Sequence, residues 1–127
     1  MKREIIHTDA APAAVGPYSQ AIRLGSMVYS SGQIPLDPES GQIVAGGIKE
    51  QAERALKNLS EVLQASGSSM EQVVKVTCFI TDMSMFGAMN AVYAEFFGAN
   101  PPARSCIGVA SLPKGALVEF EAVAASE

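Results

Sequence analysis

With 127 residues, 48% of them hydrophobic, the chain suits one globular domain spanning 1–127 and is far from disordered composition. Nine basic residues lie scattered among thirteen acidic ones, and the net charge of −4 argues against a nucleic-acid or anionic-membrane surface. No stretch suits a membrane span, Met1–Asp9 lacks the apolar run of a secretory leader, and two cysteines without a leader read as free thiols; a cytoplasmic protein is expected.

Ile5-Ile6 suggests a short first strand. Gly16-Pro17-Tyr18-Ser19-Gln20-Ala21 reads as a turn leading into extended chain, because proline fixes its own φ and biases its predecessor away from helix. Met27 to Ser31 reads as a strand closed by Gly32. Prolines and glycines between Pro35 and Gly47 mark a loop or hairpin.

A helix is expected from about Lys49 to Ala65. Ala52, Ala55, Leu56, Leu59, Val62 and Leu63 form one stripe at helical spacing, which is core packing. Glu50 with Arg54 and Glu53 with Lys57 are candidate i,i+4 ion pairs, and Gly67 a candidate C-terminal cap. Val73 to Thr81 is a β-branched strand, with Val74, Val76, Cys78 and Ile80 expected on one face. Asp82 or Ser84 is expected to cap a second helix ending near Gly98. Its apolar stripe is Phe86, Met89, Tyr93, Phe96 and Phe97, and Asn90 falls inside that stripe. A buried amide needs partners, so Asn90 is either a structural anchor or a site residue. Two further strands are expected around Arg104 to Val109 and Leu117 to Ala125.

The order strands, helix, strand, helix, strands implies an α+β layer with both helices on one face of a mixed sheet. The other face is expected to carry Phe79, and Tyr29 or Met27, beside Arg104, Cys106 and Glu119. That mixture is too apolar for water and too charged for a dry core, so a partner subunit is expected to cover it.

Known site patterns are largely missing. His7 is the single histidine and reads as a strand-end residue. No His/Cys cluster has metal-ligand spacing, and no glycine pattern matches a phosphate loop or dinucleotide fingerprint. Cys106 has no second histidine to activate it; Cys78 reads as inert core, and Lys114 as an exposed turn lysine. What remains is Arg104 and Glu119, each charged in an otherwise apolar short strand. Alternation places Arg104 with Cys106, and Glu119 with Glu121. Such a pair is either a surface ion pair or a small anion-and-water site. In the second case the arginine grips a carboxylate with two hydrogen bonds and the glutamate holds a water.

The runs Gly16-Pro17-Tyr18-Ser19-Gln20-Ala21, Ser31-Gly32-Gln33-Ile34-Pro35, Asn90-Ala91-Val92-Tyr93, Pro102-Ala103-Arg104-Ser105-Cys106, Leu112-Pro113-Lys114-Gly115 and Val118-Glu119-Phe120-Glu121-Ala122 resemble the RidA (YjgF) family of reactive intermediate/imine deaminases. The resemblance runs in order over nearly the whole chain. It implies a chorismate-mutase-like fold, assembled as a homotrimer with a central barrel and clefts between subunits. It also implies hydrolysis of 2-imino acids, formed from enamines such as 2-aminoacrylate, to 2-keto acids and ammonia, with neither metal nor organic cofactor. In that frame Arg104 binds the substrate carboxylate and Glu119 positions the attacking water. Cys106 contacts ligand through its backbone; Tyr18, Ser31 and Asn90 line or order the cleft, and Gly32 allows close backbone approach. The Gly98 to Pro101 segment is shorter than in some members, which bears on substrate range. Two other functions fit the same resemblance: a non-catalytic regulator that binds small carboxylates, and an endoribonuclease or translation inhibitor. The acidic charge weighs against the second.

Overall fold

The computed structural model describes residues 1–126; Glu127 of the expected domain lies outside them. Six strands form one sheet: β1 (Arg3–Ile6), β2 (Ala21–Leu24), β3 (Met27–Ser30), β4 (Val73–Ile80), β5 (Ala103–Gly108) and β6 (Val118–Ala125). Two helices, α1 (Ile48–Ala65) and α2 (Phe86–Phe97), complete the layer. The strand order is β1-β2-β3-β6-β4-β5, and only the β4–β5 pair is parallel. A parallel pair needs a crossover connection, and α2 supplies it.

The expected stripe on α1 is the heart of the core. Ala52, Ala55, Leu56, Leu59, Val62 and Leu63 are all fully buried against Val28, Val76, Phe120 and Ala124 of the sheet. Burying each large aliphatic side chain stabilises the fold by roughly 1.5–3 kcal/mol. The helix ends at Ser66, and Gly67 takes the left-handed conformation beyond it, with φ 81°. The expected ion pairs on α1 do not form. Glu50 turns back to accept the Gly47 N–H at 2.9 Å, closing the helix N-terminus. Arg54 donates through Nε and Nη2 to Asn58 Oδ1, at 2.9 and 2.6 Å.

Two further expectations need correction. Asp82 accepts the Ser84 N–H and caps a 3-10 turn, Met83–Met85, that leads into α2; the residue at the α2 N-cap itself is Met85. Val74 is half exposed, because the β4–β6 register slips between Val73 and Lys75 and turns Val74 out of the helix-facing row. Strand β2 is the extended chain expected after the turn that ends at Ala21, and it forms a hairpin with β3 through Gly25-Ser26, with Gly25 at φ 60°. A glycine at the first position of a two-residue turn suits that geometry.

The open face carries Met27, Tyr29, Phe79, Ile107, Glu119, Glu121 and Val123, as the strand register dictates. Tyr29 and Ile107 are nearly half exposed. No helix among the described residues is long and apolar enough to cross a membrane.

Candidate active site

Strand register decides which charged residues can meet. Arg104 pairs with Val76 and Cys106 with Cys78, so both lie on the helix-covered face. Glu119 pairs with Phe79 and lies on the open face. The expectation that Arg104, Cys106 and Glu119 share one face is therefore wrong within a single chain. Side chains alternate along each strand as expected, but the parity between β5 and β6 is set by their common neighbour β4. The candidate residues fall into two groups.

The first group surrounds Glu119. The β3–β6 ladder runs from Met27↔Ala125 to Tyr29↔Val123 and resumes at Gln33↔Phe120, with one extra residue on the β3 side. Within this bulge Ser30 Oγ accepts the Ala122 N–H at 2.9 Å, replacing a backbone bond. Ser31 donates its N–H to Gln20 O at 2.9 Å and its hydroxyl to Ser19 O at 2.5 Å. Bulges bend a strand and re-aim its groups, and this one carries Gly32 against the Glu119 side chain. A Cβ on Gly32 would overlap the Glu119 carboxylate. Only glycine leaves that space open.

Tyr18, Ser31, Gly32 and Glu119 line one cavity of about 490 Å³, together with Ile34 and Lys114. Burial pushes the Glu119 carboxyl above its ordinary value, and the neighbouring Glu121 charge adds to the shift. A carboxyl moved toward neutrality is a better proton acceptor near pH 7 than an ordinary one. Buried amides fix the walls. Gln20 accepts the Thr8 N–H at 2.7 Å and donates to Thr8 O and Pro12 O at 3.0 and 2.8 Å, tying down the rim. Asn58 donates to Ile34 O and Leu36 O at 3.1 and 2.9 Å. Gln51 Oε1 accepts the Leu117 N–H at 2.8 Å, just before the strand that carries Glu119.

The second group surrounds Arg104. Arg104 and Asn90 border a separate cavity of about 400 Å³, whose apolar wall includes Phe97, Pro101 and Pro102. The short Gly98 to Pro101 segment thus lies directly beside the arginine. Arg104 donates from Nη1 to Asn90 Oδ1 at 2.6 Å. Its Cζ stands over the Tyr93 ring, 4.6 Å from the centroid, and over the Phe86 ring at 5.4 Å. Asn90 is therefore the anchor of Arg104, which accounts for an amide inside an apolar stripe. Phe86, Asn90 and Tyr93 lie at i, i+4 and i+7, on one face of α2. Both rings belong to the expected apolar stripe of α2, and a role beside Arg104 was not expected of them. Their spacing from Asn90 was the available signal.

Cys106 is half-buried beside Cys78. Burial pushes the Cys78 thiol up to about 12, which removes it from nucleophilic chemistry at neutral pH. His7 follows β1, its Nε2 3.1 Å from Asp9 Oδ1 at an exposed site. Lys114 adopts a left-handed turn, φ 58°, and donates to Gly41 O at 3.2 Å on the cavity wall. Among the described residues, no group of three or more His, Cys, Asp or Glu is placed to hold a metal ion.

Residues 8–126 match the family model described as endoribonuclease L-PSP. The mouse 2-iminobutanoate/2-iminopropanoate deaminase is 50% identical over 122 residues, covering 96% of this chain and 90% of that protein. A RutC family protein of Pyrococcus abyssi is 48% identical over the whole of both chains. The crystal structure of Escherichia coli TdcF with bound serine superposes with a TM-score of 0.93 at 45% identity, covering 98% of this chain and 99% of that one. At this identity and coverage, the protein belongs to the endoribonuclease L-PSP family, the YjgF/RidA family.

Proposed function

We propose that this protein hydrolyses 2-imino acids to 2-keto acids and ammonia, in a cleft that two subunits of a homotrimer build together. One observation carries the reading. A guanidinium with in-plane donors to spare and a carboxyl poised to accept a proton lie on opposite faces of one sheet. Neither cavity holds both groups. A neighbouring copy that brings its Arg104 toward this chain's Glu119 completes the site. The exposed Tyr29 and Ile107 on the open face support such an assembly, a chorismate-mutase-like trimer around a central barrel. The deaminase names of the mammalian relatives support the chemistry.

The proposed reaction asks little of the protein. Arg104 fixes the substrate carboxylate with parallel N–H···O bonds from the edge that Asn90 leaves free. Glu119 accepts a proton from a water held against the Gly32 backbone. The water oxygen adds to the imine carbon and the nitrogen takes up the proton from Glu119; the adduct's hydroxyl proton then passes to the nitrogen as the C–N bond breaks, releasing ammonia and leaving the keto acid. The imine is already electrophilic, so positioning and one oriented water suffice, and neither metal nor organic cofactor enters. Tyr18 and Ser31 line the pocket, and Cys106 contributes its backbone. The proposed setting is the cytoplasm, where pyridoxal-phosphate enzymes release enamines.

A regulator that binds small carboxylates without turnover is the second reading, favoured by the serine held in the TdcF structure. The family model's description names an endoribonuclease, but a net charge of −4 with scattered basic residues weighs against ribonuclease action. A coupled assay separates the readings. A serine dehydratase generates 2-aminoacrylate from serine, and the rate of pyruvate release is followed. The proposed function requires acceleration in proportion to this protein's concentration. A spontaneous rate that does not change on adding it, while the protein still binds 2-ketobutyrate, would establish the regulator instead.

A further inference from the structure

We propose that Phe86 and Tyr93 are positioning residues: their rings hold the Arg104 guanidinium plane in the orientation in which it meets a carboxylate. The inference rests on the reading that Arg104 receives that carboxylate. Arginine is among the most flexible side chains, and ordering it at the moment of binding weakens affinity. Here three side chains of one helix face order it beforehand. Asn90 takes one Nη1 hydrogen at 2.6 Å. Tyr93 and Phe86 present their faces to Cζ at 4.6 and 5.4 Å, within the range of cation–π attraction.

Stacking suits the task. A ring over the guanidinium face contacts carbon and π density and uses none of the in-plane N–H groups. The edge not taken by Asn90 therefore keeps its fork for a carboxylate. The rings are themselves fixed. Tyr93 packs against Phe97 at 4.5 Å and Phe120 at 6.2 Å between centroids. The Tyr93 hydroxyl is buried without a hydrogen-bond partner among the described residues. The ring face of Tyr93, 4.6 Å from Cζ, makes the contact with Arg104.

The test uses the full-length protein and 2-ketobutyrate as the probe. Tyr93 is deep in the core, so Phe86, half-buried at the start of α2, is the cleaner position. Phe86→Leu is expected to weaken 2-ketobutyrate binding roughly three- to tenfold by calorimetry, the effect of ordering one long side chain on binding. Turnover at saturation is expected to stay within about twofold, so the loss falls on KM and not on kcat. Phe86→Tyr and Tyr93→Phe keep a ring at each position and are expected to hold the wild-type affinity.

The Arg104 Nε–Hε signal in a nitrogen–proton NMR spectrum, assigned by its loss in Arg104→Lys, is expected upfield from ring currents. It should move toward the free-arginine position in Phe86→Leu, at an unchanged melting temperature. A folded Phe86→Leu with wild-type affinity and an unmoved signal would overturn the proposal alone. Wild-type affinity in Arg104→Lys would overturn the underlying reading and the proposal with it.

Discussion

The Glu119 carboxylate rests against the Gly32 backbone, in the space a side chain at position 32 would fill. The β3 bulge creates this approach and glycine keeps it open. Gly32→Ala is expected to preserve the fold, since the atom it meets is the far end of a flexible side chain, but to push the carboxylate out of place. A displacement of about 1 Å in a catalytic group costs on the order of 10²-fold in rate. Keto-acid release and a crystal structure of the variant check this; an unchanged rate would detach the Gly32 approach from catalysis.

The raised pKa of Glu119 gives a pH signature with a defined sign. The folded protein holds this proton more tightly than the unfolded chain does. Ionising Glu119 therefore lowers stability as pH climbs from the ordinary value of 4.5 through the raised one. Glu119→Gln removes that penalty. The variant should gain melting temperature over wild type at pH 7, relative to the difference between the two at pH 4. Its turnover should move the other way, falling ~10²–10⁴-fold, because an amide cannot accept the proton. A stability difference that is the same at both pH values would contradict the shift.

Asn58 joins α1 to the cavity wall. It is fully buried and satisfied by Ile34 O, Leu36 O and Arg54. Asn58→Ala takes the amide from Leu36 O and from the half-buried Arg54 guanidinium, while Ile34 O keeps the Leu36 N–H at 2.8 Å, and a buried unsatisfied group costs about 1–3 kcal/mol. Denaturant unfolding should show a loss of that order, and proteolysis should cut first between Gln33 and Val44. A loss below ~0.5 kcal/mol would mean that water replaces the amide.

The two thiols should differ sharply. With its pKa pushed up to about 12 and no exposed surface, Cys78 should resist iodoacetamide at pH 8 until the protein unfolds. Mass mapping of native and denatured samples checks this. Rapid native labelling of Cys78 would show that the β4–β5 region opens.

The elements were largely legible because they are local. The α1 stripe, from Ala52 to Leu63, spans about three turns of unbroken periodicity, and all six of its apolar positions are fully buried. Val73 to Thr81 declared itself through its β-branched residues. What sequence could not give was long-range. Arg104 and Glu119 alternate correctly along their own strands, yet their relative face follows from Val76↔Arg104 and Phe79↔Glu119, pairings across 28 and 40 residues. The bulges at Val74 and at Ser30–Gly32 carry no local signature beyond a glycine. Asn90 was the exception. A lone amide in an apolar stripe flagged a buried partner, and that partner is Arg104.

A subunit-mixing experiment tests the shared cleft most directly. Arg104→Ala and Glu119→Gln are each expected to be nearly inactive while still assembling. If one subunit supplies Arg104 and its neighbour Glu119, unfolding and refolding the two variants together regenerates intact clefts. Random assembly of equal amounts restores about one quarter of the sites, since each cleft needs an intact arginine on one side and an intact glutamate on the other. Keto-acid release near one quarter of the wild-type rate is the predicted result. No recovery, in mixed trimers verified by native mass spectrometry, would contradict the account and confine the chemistry to single chains.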